Sequence, residues 1–231
     1  MAESKQVSIM HFSDMLCVWA YLSQIRMDEL SNKFADQVKL DYHFIQVFGS
    51  VESKLEQNWG HRGGVEAYGK MVCDLGGEFE HVDIHQDIWC KARPTSSASC
   101  HVFLKAAQLV ESKNDLPLIE AGRKVTESLA WSMRVAFFRD LIDISALPAQ
   151  LAIAEELGLP LAAIEAEISS GAAYAALEQD RQLKEKYHVV GSPTLVFNEG
   201  RQMIYGNVGY RVIEANINEL LKEPNALVSW C

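Results

Sequence analysis

The sequence contains few cysteines, and their spacing is irregular. Five occur in 231 residues, at Cys17, Cys73, Cys90, Cys100 and Cys231. An odd number at irregular spacing does not predict a disulfide framework. Any chemistry of these thiols is therefore expected to be that of individual cysteines.

Long hydrophobic runs and positive charge are also scarce. The segment from Met1 to Met10 carries Glu3 and Lys5 and has no apolar stretch of signal-peptide or membrane-span length. We therefore expect a cytoplasmic protein with reduced thiols and no membrane partner. The chain has 21 Lys and Arg against 31 Asp and Glu, a net charge of −10, which disfavours nucleic acid as a partner.

The composition is otherwise that of a globular protein with a substantial core. Hydrophobic residues make up 48% and charged residues 23% of the chain. A length of 231 residues suits one domain with a large insertion, or two closely packed domains. No repeat and no low-complexity tract occurs.

The first fifty residues predict a βαβ unit. Alternating residues predict a strand over Val7–Phe12, apolar spacings of three and four predict a helix over Leu16–Asp36, and a second strand follows over Val38–Phe48. Two strands joined by one helix are expected to be parallel.

The rest of the chain predicts a helical block followed by a hairpin and a helix. The block covers residues 52–187, with a helix from Pro94 to about Glu111 and others over Ala146–Leu157, from Pro160, and over Tyr174–Tyr187. Strands are predicted over Thr194–Phe197 and Gln202–Tyr205, and a final helix over Arg211–Lys222. The predicted order is therefore βαβ, helices, then ββα.

Cys17 is the strongest candidate for a reactive residue. It follows the first strand and stands at the start of the first helix, where unpaired N–H groups and the helix dipole favour a thiolate. We therefore expect its pKa to be lowered and Cys17 to be the most acidic of the thiols. The alternative is a buried structural cysteine.

A second signal is the segment Gly191-Ser192-Pro193-Thr194, in which a proline enters a predicted strand. Proline cannot donate to a strand ladder, so its presence there needs a reason. A trans proline at the start of an edge strand is one explanation. The signal gains weight from its place after a βαβ unit with a cysteine and before a hairpin.

Together these two segments resemble the DsbA family. Ser13-Asp14-Met15-Leu16-Cys17-Val18-Trp19-Ala20-Tyr21 resembles its Ser-Asp-x-x-Cys-Pro-Trp-Cys-Tyr segment, and residues 190–197 resemble its cis-proline strand. The stretch from Phe137 to Leu159 resembles the family's helical insert. The resemblance implies an α/β fold with a thioredoxin-like core over residues 1–51 and 188–231 and an inserted helical domain over residues 52–187. It also implies a cis proline at Pro193 that faces Cys17.

The family contains dithiol oxidoreductases, kappa-class glutathione transferases and 2-hydroxychromene-2-carboxylate isomerases, and this chain departs from each. Ala20 stands where a dithiol enzyme has its second cysteine, and Val18 where it has proline. Transferase and isomerase relatives usually carry serine at the position of Cys17.

Three functions therefore stay open. The first is a single-cysteine thiol oxidoreductase whose mixed disulfide is resolved by glutathione. The second is a glutathione-dependent transferase or isomerase, and the third is a non-catalytic peptide-binding module. We expect no tightly bound cofactor, glutathione or a thiol or disulfide substrate as partner, and a homodimer as one option for assembly.

Other residues are weaker candidates for the site. Ser13 and Asp14 offer local support to Cys17, with helix capping the favoured role of Asp14. Trp19 either contacts substrate or packs in the core. The resemblance places Ser192, Pro193 and Asn207 in substrate or glutathione binding, although the Asp-Arg pair of glutathione-using relatives is missing beside Asn207.

No metal site is expected. His81, His85 and Cys90 match no established zinc spacing, and Asp83 and Asp87 between them suggest a solvated loop. Cys73, Cys90 and Cys100 are interpreted as core or near-surface thiols of the helical block. Cys231 follows Trp230 at the end of the chain, where a mobile tail could bring it to Cys17.

Overall fold

A computed structural model describes residues 6–114, 116 and 124–222, which form ten α-helices and one four-stranded sheet. The strands are β1 (Val7–Ser13), β2 (Val38–Phe44), β3 (Thr194–Phe197) and β4 (Gln202–Tyr205), and their order in the sheet is β2-β1-β3-β4. β1 is parallel to β2, and β3 is antiparallel to both β1 and β4. This arrangement confirms the predicted thioredoxin-like core and its mixed α/β class.

β2 is shorter than the predicted strand Val38–Phe48, because its partner ends first. The last pair of the β1–β2 register is Ser13 with Phe44. The N–H of Ile45 still donates to the Ser13 carbonyl at 3.0 Å, but that of Val47 donates to Ile45 in a tight turn. The chain therefore leaves the sheet beside the residues that precede Cys17.

The predicted helix Leu16–Asp36 is two helices, α1 (Val18–Leu22) and α2 (Gln24–Phe34). The break falls at Ser23, whose hydroxyl donates to the carbonyl of Ala20 at 3.1 Å. A serine that bonds back to the preceding turn competes with the helical ladder and bends the helix. The apolar periodicity alone did not contain this information.

The helices between β2 and β3 are α3 (Val51–Trp59), α4 (Gly64–Gly76), α5 (Ala98–Asn114), α6 (Val125–Phe138), α7 (Leu147–Glu156), α8 (Leu161–Ser169) and α9 (Ala172–Lys186). Gly158 has a φ of 69°, a left-handed conformation that suits glycine after a helix, and Pro160 directly precedes α8. None of the helices described is long and apolar enough to span a bilayer.

Each face of the sheet is covered by a hydrophobic cluster. On one face, Ile9 and Phe197 of the sheet pack with Leu30 of α2 and Ile217 of α10 (Tyr210–Lys222). Phe12 of β1 and Val196 of β3 lie on the opposite face, in a cluster with Ile45 and Val189. A larger cluster joins residues of the first helix, such as Leu22, to the helices between β2 and β3. The segment that carries Cys17 is thus held between the sheet and these helices, at the carboxyl end of β1.

Candidate active site

Cys17 is the N-cap residue of α1. Its φ and ψ of −82° and 115° are extended, and its carbonyl accepts the N–H groups of Ala20 and Tyr21, both at 3.1 Å. Its own N–H donates to the carbonyl of Asp14 at 3.2 Å. Only 7% of its surface is exposed. The thiol therefore stands at a helix start, as predicted, but inside the protein rather than at its surface.

Pro193 and Cys17 are brought together by the pairing of β3 with β1. The peptide bond between Ser192 and Pro193 is cis. The Cys17 thiol donates to the carbonyl of Ser192 at 3.3 Å. Thr194 closes the turn, because its hydroxyl donates to the Gly191 carbonyl at 2.7 Å. The two segments that the sequence singled out, 175 residues apart, thus form one site.

The predicted lowering of the Cys17 pKa is wrong. Burial raises the pKa of the thiol above its ordinary value, and the charge of Asp14 raises it further. A hydrogen bond from the Ser192 side chain and the backbone N–H groups of Ala20 and Trp19 act in the opposite direction without cancelling the effect of burial. The helix start is present, but desolvation of the thiolate outweighs it.

Asp14 does not cap the first helix, which is a second correction. Its carboxylate is fully buried and accepts hydrogen bonds from the N–H of Leu16, the N–H of Phe48 and the hydroxyl of Ser97, each at 2.8 Å. Its N–H donates to the Ser192 hydroxyl at 2.9 Å. The side chain therefore ties the Cys17 segment to the end of β2, to the start of α5 and to the Ser192–Pro193 segment.

Two buried side chains beside this segment escaped the sequence analysis. Arg134 of α6 is 2% exposed and donates through Nη2 to the hydroxyl of Ser13 at 2.9 Å. His101 of α5 is fully buried, and its Nε2 accepts the N–H of Met15 at 3.1 Å. One arginine within an otherwise apolar stretch, residues 133–138, is the signal that could have identified Arg134.

The rim of the site is apolar. Trp19 is 39% exposed, so it is not a core residue. Val190, three residues before Pro193, and Tyr205, which pairs with Thr194 in the sheet, are also exposed. Exposed apolar groups around a reactive residue suit contact with a substrate. Trp19 thus retains the substrate-contact role that was one of its two predicted roles.

Asn207 lies in the loop between β4 and α10, next to Gly206 with a φ of 90°. Its Oδ1 accepts a hydrogen bond from Nη1 of Arg26 at 2.5 Å. Arg26 belongs to α2 and shares the lining of a small pocket with Pro193 and His11. The fold therefore places the positive charge of Arg26 beside this loop, which the sequence did not predict.

Cys73, Cys90 and His81 do not join the site. Cys100 is buried, Cys73 is half-buried and Cys90 is exposed, and all are free thiols. Nε2 of His81 is bonded to the carbonyl of Leu22 at 2.9 Å. In the part of the chain that the structure describes, no three His, Cys, Asp or Glu side chains are grouped to hold a metal ion. Cys231 lies outside the described residues.

Residues 8–218 match the family model described as DSBA-like thioredoxin domain. No curated protein sequence matches the chain.

Solved structures show the same fold. A probable DsbA oxidoreductase from Streptomyces coelicolor is 16% identical with a TM-score of 0.72, and the match covers 97% of this chain and 94% of that one. The cytosolic disulfide reductase DsbM from Pseudomonas aeruginosa is 17% identical with a TM-score of 0.64, over 92% and 99% of the two chains. A 2-hydroxychromene-2-carboxylate isomerase is 18% identical with a TM-score of 0.57, over 96% and 100%.

At these identities the likeness to solved structures establishes the fold, and the family match adds the lineage. The residues that match the family model include the sheet from Ser8 onwards, the helices between β2 and β3, and most of α10. The chain belongs to the DsbA-like thioredoxin domain family, whose members are oxidoreductases or isomerases.

Proposed function

We propose that the protein is a thiol-disulfide oxidoreductase that works with a single cysteine, Cys17. The Cys17 thiolate attacks one sulfur of a disulfide or a glutathionylated thiol, forms a mixed disulfide with it, and releases the other sulfur as a thiolate. Glutathione thiolate then attacks the mixed disulfide, which returns Cys17 as a thiolate and leaves the displaced sulfur bonded to glutathione.

The observation that carries this proposal is the contact between Cys17 and the Ser192 carbonyl, 3.3 Å apart, with Ala20 one turn further along α1. The backbone carbonyl before the cis Pro193 adjoins the sulfur that would form the mixed disulfide. Alanine at position 20 has no thiol that could displace the substrate sulfur from Cys17, and the Ala20 side chain is fully buried. The second step therefore needs a thiol from outside.

The raised pKa of Cys17 supports a reductive direction. A thiol whose pKa stays raised, because burial outweighs the groups that favour its thiolate, gives a strong nucleophile and a poor leaving group, so the mixed disulfide is favoured over the free thiolate. Strong oxidants of this fold have the opposite property, a stabilised thiolate. The fold of this chain resembles that of a protein named a cytosolic disulfide reductase, which agrees with this direction and with a cytoplasmic location.

Glutathione as the resolving thiol is supported by the surroundings of Pro193. The Arg26 guanidinium, bonded to Asn207, supplies a positive charge close to the start of α10, where a helix N-terminus also favours an anion. Glutathione carries two carboxylates at neutral pH. DsbM from Pseudomonas aeruginosa has been solved with this tripeptide.

A glutathione-dependent isomerase or transferase is the second candidate. The specific observation in its favour is Ala20, because such chemistry needs no second thiol, and a 2-hydroxychromene-2-carboxylate isomerase shares the fold. In that case Cys17 would orient the glutathione sulfur by a hydrogen bond. A peptide-binding module without turnover is the remaining alternative.

The test uses Cys17→Ser, with Cys90→Ser as a matched control because Cys90 is an exposed thiol. Each variant is assayed for reduction of a glutathionylated peptide by glutathione, and for glutathione-dependent isomerisation of a chromene carboxylate. We expect Cys17→Ser to abolish the first activity and Cys90→Ser to retain it. Isomerase activity that survives in Cys17→Ser would favour the isomerase or transferase function. If the wild type shows neither activity, the peptide-binding function is the one that remains.

A further inference from the structure

Arg134 is a buried cation without an ion pair. It lies on α6, and 2% of its surface is exposed. Its one hydrogen bond to a described side chain goes to a neutral group, the Ser13 hydroxyl, and its Nε is buried without a hydrogen-bond partner. Among the residues described, no Asp or Glu oxygen lies within 4.0 Å of the guanidinium. A buried charge of this kind is costly, so the structure around it should contain an anion that it serves.

The guanidinium of Arg134 is hydrogen-bonded next to the segment that leads to Cys17. Ser13, its hydrogen-bond partner, is the last residue of β1 and stands four residues before Cys17. The next residue, Asp14, is bonded to the hydroxyl of Ser192, whose carbonyl contacts the Cys17 sulfur. Arg134 therefore adjoins the short stretch of chain that leads to Cys17 and that is hydrogen-bonded to the Ser192–Pro193 segment.

Four acidic groups act on the charge of Arg134, and burial raises the pKa of two of them, Tyr42 and Cys100, so that both are neutral near pH 7. Of the other two, Asp14 is already satisfied. The Asp14 carboxylate accepts three hydrogen bonds, each at 2.8 Å. The other anion is Cys17 in its thiolate form, and it raises the pKa of Arg134 more than Asp14 does, although burial has the larger, opposite effect. The hydrogen bond of Arg134 to Ser13, four residues before Cys17, places this unpaired charge beside the segment of the thiol, and Cys17 is the first of the acidic groups that act on it.

The titratable groups around the Cys17 segment and Arg134 come from six places in the fold. They are His11 on β1, Asp14 in the loop after β1, Tyr42 on β2, Tyr68 on α4, Cys100 and His101 on α5, and Arg134 on α6. Burial raises the pKa of both tyrosines and of the Cys100 thiol and lowers the pKa of both imidazoles, so these five are neutral near pH 7. Asp14 supplies the carboxylate, and Arg134 is the one positive charge in this group.

We propose that Arg134 is a positioning residue for the reaction of Cys17: its buried charge stabilises the Cys17 thiolate against the opposing effects of burial and of Asp14. The inference rests on the proposed function, since it assigns Arg134 a part in the chemistry of Cys17. It also gives the helices between β2 and β3 a role in that chemistry, because α6 supplies the charge. Without the charge, a thiol that is 7% exposed would have little thiolate at neutral pH.

The test measures how fast iodoacetamide alkylates Cys17 between pH 6 and pH 10, followed by peptide mass spectrometry in the folded protein. Arg134→Met removes the charge, Arg134→Lys keeps it, and Arg139→Met removes an exposed charge, paired with Asp140, from the end of the same helix. We expect Arg134→Met to slow alkylation at pH 7.5 about tenfold or more, as removal of a buried opposite charge does. Arg134→Lys should recover most of the rate, and Arg139→Met should match the wild type.

An unchanged pH profile in Arg134→Met would overturn the proposal, and so would an equal shift in Arg134→Met and Arg134→Lys, because charge would then not be responsible. If the methionine variant does not fold, Arg134→Gln replaces it with the same two outcomes. Alkylation requires no turnover, so this result is independent of the proposed function. A wild type that forms no glutathione adduct, but whose alkylation depends on Arg134, would contradict the function and leave the role of Arg134 in place.

Discussion

Replacing Asp14 by asparagine should destabilise the protein and at the same time make Cys17 more reactive. The carboxylate accepts the N–H of Leu16, the N–H of Phe48 and the hydroxyl of Ser97, each at 2.8 Å. The asparagine oxygen can replace either Oδ1, which accepts from Leu16, or Oδ2, which accepts from Phe48 and Ser97, and the NH₂ group then faces the donors of the other oxygen. The serine hydroxyl can rotate to accept, whereas a buried backbone N–H cannot.

The size of the stability loss follows from the hydrogen bonds that asparagine cannot accept. One buried N–H left without a partner costs about 1–3 kcal/mol, and the loss of charge weakens the remaining bonds by about 0.5–1 kcal/mol. We therefore expect Asp14→Asn to lower the free energy of unfolding by about 1.5–4 kcal/mol. The reactivity of Cys17 changes in the opposite sense, because the charge of Asp14 raises the pKa of the thiol and its removal favours the thiolate.

Urea denaturation measures the first effect, and alkylation of Cys17 well below the unfolding transition measures the second. Asp143→Asn is the matched control, since the Asp143 Oδ1 accepts the N–H and the hydroxyl of Ser145 at 2.9 and 2.6 Å in a local turn. An asparagine oxygen preserves both, so the cost should be below about 0.5 kcal/mol. A loss under about 1 kcal/mol in Asp14→Asn, or slower alkylation of Cys17, would refute the role assigned to Asp14.

Three further outcomes are expected. Ala20→Cys should raise the rate of insulin reduction by dithiothreitol about tenfold or more, because release of the mixed disulfide becomes intramolecular. Ala20→Ser, the control, should not raise it. Equal rates for Ala20→Cys and the wild type would show that release of the mixed disulfide is not rate-limiting. Because burial raises the pKa of Cys17, the alkylation rate of the wild type should keep rising above the pH at which a free cysteine levels off, and a plateau below that pH would contradict it. Burial lowers the pKa of His11 to about 3, whereas the unfolded imidazole titrates near 6.5, so the unfolded chain binds the extra proton between these values. Stability should therefore be fully present above pH 6.5 and fall towards pH 3, by up to about 1.4 kcal/mol per pH unit from this group, and urea denaturation of His11→Leu should show a shallower slope than the wild type.

The order of elements was predictable because periodicity and turn residues are local. Strand periodicity over Val7–Phe12 and the hairpin after Thr194 are confirmed, as is the parallel pairing that follows from a βαβ unit. The ends of elements were less predictable. β2 stops at Phe44 because β1 ends at Ser13, which is a property of the partner strand rather than of the sequence of β2.

The contact between the Cys17 and Pro193 segments was predictable, but the electrostatics around Cys17 were not. A cysteine at a helix start and a proline that enters a strand are visible as motifs, and the fold brings Cys17 and Ser192 into contact. Burial is a property of the whole molecule, and it reverses the expected direction of the pKa shift at Cys17. Arg134 reaches the site from a helix more than a hundred residues away in the chain, so no local pattern around Cys17 indicates it.

The central claim is that Cys17 alone carries the exchange reaction and needs an external thiol to be released. It is tested most directly by mass spectrometry of the native protein after exposure to oxidised glutathione, with peptide mapping of the adduct. The account predicts one glutathione on Cys17, which persists until reduced glutathione is added and is absent in Cys17→Ser. An unmodified Cys17, or an adduct that disappears without added thiol because another cysteine of the chain displaces it, would contradict the account.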